Sequence, residues 1–122
     1  MAADNAIRAA RDAVARLGSI NAAPPEDLRH IDHWRPLSTG IALHRGNVFF
    51  GNIGSSQRLD FTVIGRAVNE TSRVEALTKE IGYPIVITEP VAQLLDCGLR
   101  NLGHHALRGV SEPVTLFTPS PP

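Results

Sequence analysis

Residues 58–77 read RLDFTVIGRAVNETSRVEAL, and this stretch decides how the rest of the chain is interpreted. The run from Leu59 to Ile64 is typical of a strand, and Gly65 ends it. From Val68 onward the apolar positions recur at helical spacing until Ile81, and Gly82 follows them as a helix-ending residue. The stretch therefore predicts a strand over residues 59–64 and a helix over residues 68–81.

Asn69 and Arg73 lie in the first turns of this predicted helix. They are four residues apart, so their side chains share one helix face and can reach one site together. An arginine offers a planar fork of donors to phosphate oxygens, and an asparagine can both donate to and accept from a sugar hydroxyl. The alternative is that Arg73 only pairs with Glu70, Glu75 or another surface acid, and the residues alone leave both interpretations open.

The segments around this stretch predict a mixed α+β sheet domain. An amphipathic helix is expected from Ala6 to Leu17, capped by Asp4 or Asn5 and ended by Gly18, and a proline-rich loop follows it. Gly40–His44 and Val48–Phe50 predict a hairpin around the turn Arg45–Asn47, and residues 51–56 are expected to break the chain. The remaining predictions are a buried strand over 84–87, a helix capped by Thr88 with Leu94 and Leu95 facing the core, and strands near 105–107 and 114–117.

Composition narrows the classes of partner and compartment. The 122 residues carry 12 basic and 12 acidic side chains, so no broad cationic field attracts nucleic acid or an anionic membrane. Cys97 is the single cysteine, which suits a reducing compartment. The first residues do not resemble an export signal, and no apolar run approaches the roughly 18 residues of a membrane span. We therefore expect a cytoplasmic protein with no nucleic-acid partner and no direct membrane insertion.

Four further groups of residues could carry chemistry, and each has a plainer alternative. His30, Asp32 and His33 are ligand types for a transition metal, but their spacing fits no established motif and a solvated loop is the alternative. The glycines of residues 51–55 could expose amides to a phosphate, or simply form tight turns. His104 and His105 could form a proton-transfer site, but in a strand their side chains should point to opposite faces. Cys97 could form a nucleophilic pair with a distant histidine, and a small buried or partly buried thiol is the more expected interpretation.

Four motifs resemble, in order, the C-terminal half of the catalytic domain of class III adenylate/guanylate cyclases. They are G-x-x-x-H-x-G at 40–46, G-N-I-G-S at 51–55, D-F-T-V-I-G-x-x-V-N-x-x-x-R at 60–73 and L-R-G-x-x-E-P-V at 107–114. The resemblance covers residues 40–117, and the helix over 6–17 resembles the one that precedes this region in bacterial members. It implies a ferredoxin-like cyclase fold and divides the chain into a helix over 1–20, a loop over 21–38, the cyclase portion over 39–118 and a tail over 119–122.

The resemblance also implies a reaction and roles for four residues. In that family the ribose 3′-hydroxyl of a nucleoside triphosphate attacks its own α-phosphorus and releases pyrophosphate. Asn69 resembles the ribose-orienting asparagine and Arg73 the arginine that stabilises the α-phosphate in the transition state. Thr62 stands where the family reads the purine, which favours ATP, and Arg108 stands where a lysine usually binds the terminal phosphates. Asp60 is interpreted as structural.

Departures from the family pattern are equally informative. The family holds two Mg²⁺ or Mn²⁺ ions with two aspartates from an earlier strand and hairpin, where a lysine that helps to select adenine also lies, and no motif of this kind precedes residue 40. Arg66 and Arg45 replace an aspartate and a threonine common in relatives. The sequence thus predicts a truncated cyclase domain that lacks its N-terminal strands and has no metal ligands of its own. Such a chain would either act on ATP with a homodimer or cyclase partner that supplies the metals, or be a non-catalytic dimerisation or regulatory module.

Overall fold

The chain combines helices and a small mixed sheet in an α+β arrangement, as the sequence predicts. The computed structural model describes residues 2–55 and 58–121, and within residues 53–62 it describes the backbone alone. In chain order the elements are α1 (Ala2–Ala22), α2 (Glu26–Arg29), β1 (Ile41–Leu43), β2 (Phe49–Ser55), β3 (Arg58–Ile64), α3 (Arg66–Ile81), β4 (Ile85–Thr88), α4 (Glu89–Ala92), β5 (Leu99–His105) and β6 (Val114–Pro119).

A four-stranded sheet with the order β1-β4-β6-β5 forms the centre of the fold. β4 is parallel to β1 and antiparallel to β6, and β5 is antiparallel to β6. Every residue of β4 is buried, as expected for a strand covered on both faces. Since side chains alternate along a strand, Ile85 and Ile87 join the core beneath α1, while Val86 joins the core beneath α3.

Helix α3 confirms the prediction made from residues 58–77. It spans Arg66–Ile81, and Gly82 ends it in the left-handed conformation with φ 84°. At its other end, Gly65 has φ 139°, a backbone conformation that side-chain-bearing residues rarely adopt. Val74 is fully buried against the sheet, so the opposite side of the helix is left facing solvent.

The predicted hairpin between Gly40–His44 and Val48–Phe50 is wrong. β1 pairs with β4, and β2 instead forms a separate two-stranded antiparallel sheet with β3. The predicted break over residues 51–56 is also wrong, because β2 continues to Ser55. Glycines disfavour strands only weakly, and the continuous antiparallel register from Phe49↔Ile64 to Ser55↔Arg58 outweighs that preference.

Helix α1 is longer than predicted and does not end at Gly18. It runs through that glycine to Ala22, and a glycine inside a helix costs only about 1 kcal/mol. Asn21 then ties the following loop to the helix, because its side chain accepts from the Leu37 N–H at 2.7 Å and donates to the Leu37 carbonyl at 2.8 Å. Part of the predicted loop forms the short helix α2.

The C-terminal elements differ from the predictions mainly in their bounds. α4 is a single turn over Glu89–Ala92, and the Thr88 side chain makes no capping hydrogen bond to it. Leu95 is buried as predicted, whereas Leu94 is 49% exposed and does not face the core. β5 lies earlier than expected, over Leu99–His105, whereas β6 covers the predicted strand. No helix among the described residues is long and apolar enough to cross a membrane.

Candidate active site

The first two turns of α3 bring Asn69 and Arg73 together on one exposed face. The Asn69 N–H donates to the Gly65 carbonyl at 3.3 Å, so the helix is already formed where Asn69 stands. Both side chains are exposed, and they are one turn apart. The structure therefore places an amide and a guanidinium on one exposed face of α3, and their contact with a common ligand stays a prediction.

The alternative for Arg73, an ion pair with a neighbouring acid, is not found among the described side chains. The contacts within 4.0 Å between basic and acidic side chains there join Arg16 to Asp12, His30 to Glu26 and His44 to Glu70. Glu70, three residues before Arg73, thus faces a histidine on another element. Within the part of the chain whose side chains are described, the guanidinium of Arg73 is left to solvent or to a ligand.

His44 contacts the N-terminal part of α3. In the sequence it stands out only as part of the motif at residues 40–46. The His44 Nδ1 lies 2.7 Å from the Thr88 Oγ1, and its Nε2 lies 3.1 Å from the Glu70 Oε2. The side chain of His44 is only 10% exposed and that of Glu70 23%. The contact therefore links the ends of β1 and β4 to the helix turn that carries Asn69. The regular position of the histidine within G-x-x-x-H-x-G is the sequence signal that pointed to it.

Arg108 lies on another segment, the turn between β5 and β6. Leu107 before it is buried, the Val110 N–H donates to the Leu107 carbonyl at 3.1 Å, and Gly109 has φ 82°. This tight turn leaves Arg108 exposed. A cavity of about 300 Å³ lies between the turn and α3, lined by Leu107 on one side and by Glu70 and Val74 on the other.

Thr62 lies on β3, where its backbone is opposite Gly51 of β2. Asp60, two residues earlier on the same strand, is opposite Ile53. The side chains of Thr62 and Asp60 lie outside the described part of the chain, so the base-reading role of Thr62 stays a prediction.

Three of the other histidines, His30, His104 and His105, have partners within the chain. His30 faces Glu26 at 3.9 Å across one turn, with both side chains exposed. The His104 Nδ1 lies 2.9 Å from the Thr115 Oγ1, and the His105 Nε2 lies 2.8 Å from the Leu102 carbonyl. The described residues bring no three His, Cys, Asp or Glu side chains together as metal ligands.

Comparison with known proteins places these features in a family. The model of the adenylate and guanylate cyclase catalytic domain matches residues 9–118, which include α3 and the Arg108 turn. The chain belongs to the adenylate and guanylate cyclase catalytic-domain family. A photoactivated adenylate cyclase subunit alpha-like protein of Euglena gracilis is 34% identical over 98% of this cyclase-family chain, and an adenylate cyclase of Anabaena cylindrica is 52% identical over 50% of it.

Solved cyclase structures share the fold. A bacterial light-regulated adenylyl cyclase superposes with a TM-score of 0.72 at 28% identity over 96% of this chain, and the adenylyl cyclase CyaB from P. aeruginosa with 0.72 at 26% identity over 100%. The chain spans 33% and 62% of those two chains, and 11–12% of the two curated relatives. It thus matches one region of longer cyclases.

Proposed function

We propose that this chain supplies the ribose-orienting and transition-state-stabilising side of an adenylate cyclase active site, which converts ATP to 3′,5′-cyclic AMP and pyrophosphate in intracellular signal transduction. The observation that carries the proposal is the joint exposure of Asn69 and Arg73 on one face of α3, in a chain that matches the cyclase family over residues 9–118. The adenylate cyclases among its relatives support ATP as the substrate.

The proposed chemistry needs orientation and positive charge more than a reactive side chain. The ribose 3′-hydroxyl gives up its proton to solvent and its oxygen forms a bond to the α-phosphorus. The bond from that phosphorus to the bridging oxygen breaks, and pyrophosphate leaves with the electron pair. Asn69 would orient the ribose so that the 3′-oxygen stands in line with the leaving group. Arg73 would donate to the α-phosphate oxygens as their charge shifts, and Arg108 to the terminal phosphates. Thr62 would accept from the adenine amino group.

Mg²⁺ or Mn²⁺ would have to be held elsewhere. We assign the metal-binding carboxylates to another part of a longer chain or to a partner domain, because no three His, Cys, Asp or Glu side chains come together among the described residues. The two-stranded sheet of β2 and β3, which we call the arm, has an exposed apolar surface that suits contact with a second protein domain. Phe49 and Phe50 on β2 are 69% and 74% exposed, and their cross-strand neighbours on β3, Ile64 and Val63, are 49% and 39% exposed. We propose a homodimer or a cyclase partner at this arm.

A second candidate function is a non-catalytic, cyclase-derived module that dimerises or regulates an intact cyclase. The same exposed arm favours it, together with the lack of a three-residue metal cluster among the described residues. The two candidates differ in one respect: the first needs the side chains of Asn69 and Arg73, and the second does not.

A complementation assay separates the two candidates. The 122-residue chain would be mixed with a class III cyclase domain that keeps its metal-binding aspartates but has lost its own ribose-orienting asparagine and transition-state arginine, and cyclic AMP formation from ATP and Mn²⁺ would be measured. We expect activity from the mixture, and a loss of about 100-fold or more with Arg73→Ala, as for a group acting in the transition state.

Lys79→Ala is the matched control, since Lys79 is an exposed cation on the same helix near its other end. It should leave the rate unchanged while removing the same charge. Restored activity that Arg73→Ala does not reduce would remove Arg73 from the mechanism. A mixture in which the chain associates with the mutant domain but restores nothing would favour the regulatory module.

A further inference from the structure

The far end of the central sheet holds a pocket that the proposed reaction does not use. It lies where α1 passes the start of β4 and the end of β6, and its volume is about 480 Å³. Small-molecule sites are typically about 300–1,000 Å³. Asn69 is at the opposite end, because the C-terminal end of β4 is the one that meets His44 and, through it, Glu70 of α3. We call this feature the distal pocket.

The inner wall of the distal pocket is apolar. Val14 and Ala15 of α1 form one side, and Pro84, Ile85 and Pro119 form the other. Ile85 is buried and belongs to the core beneath α1, so the wall rests on a packed part of the fold rather than on a loop. This apolar wall favours a ligand with a hydrocarbon part, since each CH₂ group that the ligand buries there contributes to the free energy of binding.

Two arginines line the same pocket. The Arg11 Nη2 donates to the Ser120 carbonyl at 3.2 Å, and the Arg100 Nη1 donates to the Tyr83 hydroxyl oxygen at 2.8 Å. Neither contact involves a carboxylate, and neither arginine has an ion pair within 4.0 Å among the described residues. Each guanidinium has five N–H donors, so several remain for a ligand. The two neutral contacts also hold both side chains against the pocket.

We infer that the distal pocket binds an amphipathic carboxylate, with the hydrocarbon tail against Val14, Ala15 and Ile85 and the carboxylate at Arg11 and Arg100. Charge decides the class of ligand: two guanidiniums favour an anion, and a planar fork matches a carboxylate. The apolar wall excludes a small inorganic anion as the preferred occupant. This inference is independent of the proposed cyclase reaction.

Binding of decanoate to the 122-residue chain, measured by titration calorimetry below the micelle concentration, tests the inference. We expect saturable binding with one site per chain. Arg11→Ala and Arg100→Ala should each weaken it about tenfold or more, as for the loss of a charge-assisted hydrogen bond. Ala15→Phe, at an exposed helix position that lines the pocket, should abolish binding by filling it while both arginines remain.

Arg8→Ala is the matched control for charge, because Arg8 is an exposed arginine one turn earlier on α1 and does not line the pocket. It should bind decanoate as the unchanged chain does. Acetate, which has no tail, and decylamine, which is cationic, should bind much more weakly. Absence of decanoate binding, equal binding of decylamine, or unchanged binding by both arginine variants would each overturn the inference. Circular dichroism of every variant establishes that the fold is retained.

Discussion

At the scale of single residues, His44 belongs to the motif at residues 40–46, and the structure shows which partners its ring contacts. Its ring bridges Thr88 at the end of β4 and Glu70 on α3, at 2.7 Å and 3.1 Å. Glu70 is adjacent to Asn69 and three residues before Arg73, so this bridge helps to set the position of the helix face that carries the proposed chemistry. The Glu70 carboxylate, although its side chain is 23% exposed, makes this contact with His44.

His44→Ala should therefore lower the free energy of unfolding by about 1–3 kcal/mol, since it removes the contact of the Glu70 carboxylate and leaves the Thr88 hydroxyl only its longer bond to the Leu43 carbonyl at 3.4 Å. His104→Ala is the control, because its contact with Thr115 is exposed and its loss should change stability by no more than about 0.5 kcal/mol. Urea unfolding followed by circular dichroism measures both. Equal effects of the two substitutions would show that the bridge to Glu70 adds nothing beyond an ordinary surface contact.

At the scale of elements, the continuity of α1 through Gly18 gives a direct prediction. A Cβ built at Gly18 meets nothing within 4 Å, and the residue lies inside the helix. Gly18→Ala should therefore raise the free energy of unfolding by about 0.5–1 kcal/mol. Gly65→Ala is the opposite case, because φ 139° is strained for alanine, and it should destabilise the chain by about 1–3 kcal/mol. Thermal unfolding of both variants checks the pair, and a destabilising Gly18→Ala would contradict a continuous helix.

Sequence reasoning succeeded where an element is specified by its own residues. α3 could be predicted from the spacing of its apolar positions and from Gly82, and the exposure of Asn69 and Arg73 followed from that helix. It failed for β1 and β2, which are adjacent in sequence but pair with different strands. Parallel pairing of β1 with β4 depends on contacts between distant residues, and no local pattern in Gly40–Phe50 encodes it. For the same reason the bridge from His44 to Thr88 could not be predicted.

At the scale of the whole molecule, the arm formed by β2 and β3 stands apart from the four-stranded sheet and has its own exposed apolar surface. An isolated two-stranded hairpin is at best marginally stable in water, so a partner surface would stabilise it. If this arm mediates dimerisation, Phe50→Lys should raise the dimer dissociation constant by about tenfold or more. Ile31→Lys, at a 52% exposed apolar residue outside the arm, is the matched control.

Sedimentation equilibrium measures both variants at several protein concentrations. The arm would be excluded as the dimer contact if Phe50→Lys associated as strongly as the unchanged chain. A weaker association of Ile31→Lys alone would move the contact to the proline-rich segment instead.

The position of β4 also has a kinetic consequence. β4 pairs with β1 only after the chain between them, which includes the arm and α3, has been brought round, so the central sheet depends on closing a long loop. The arm, by contrast, joins strands that follow each other directly and can close early. We therefore expect the hairpin of the arm to form before the central sheet. While the central sheet is still unformed, the apolar side chains of β4 would be exposed to other unfolded chains.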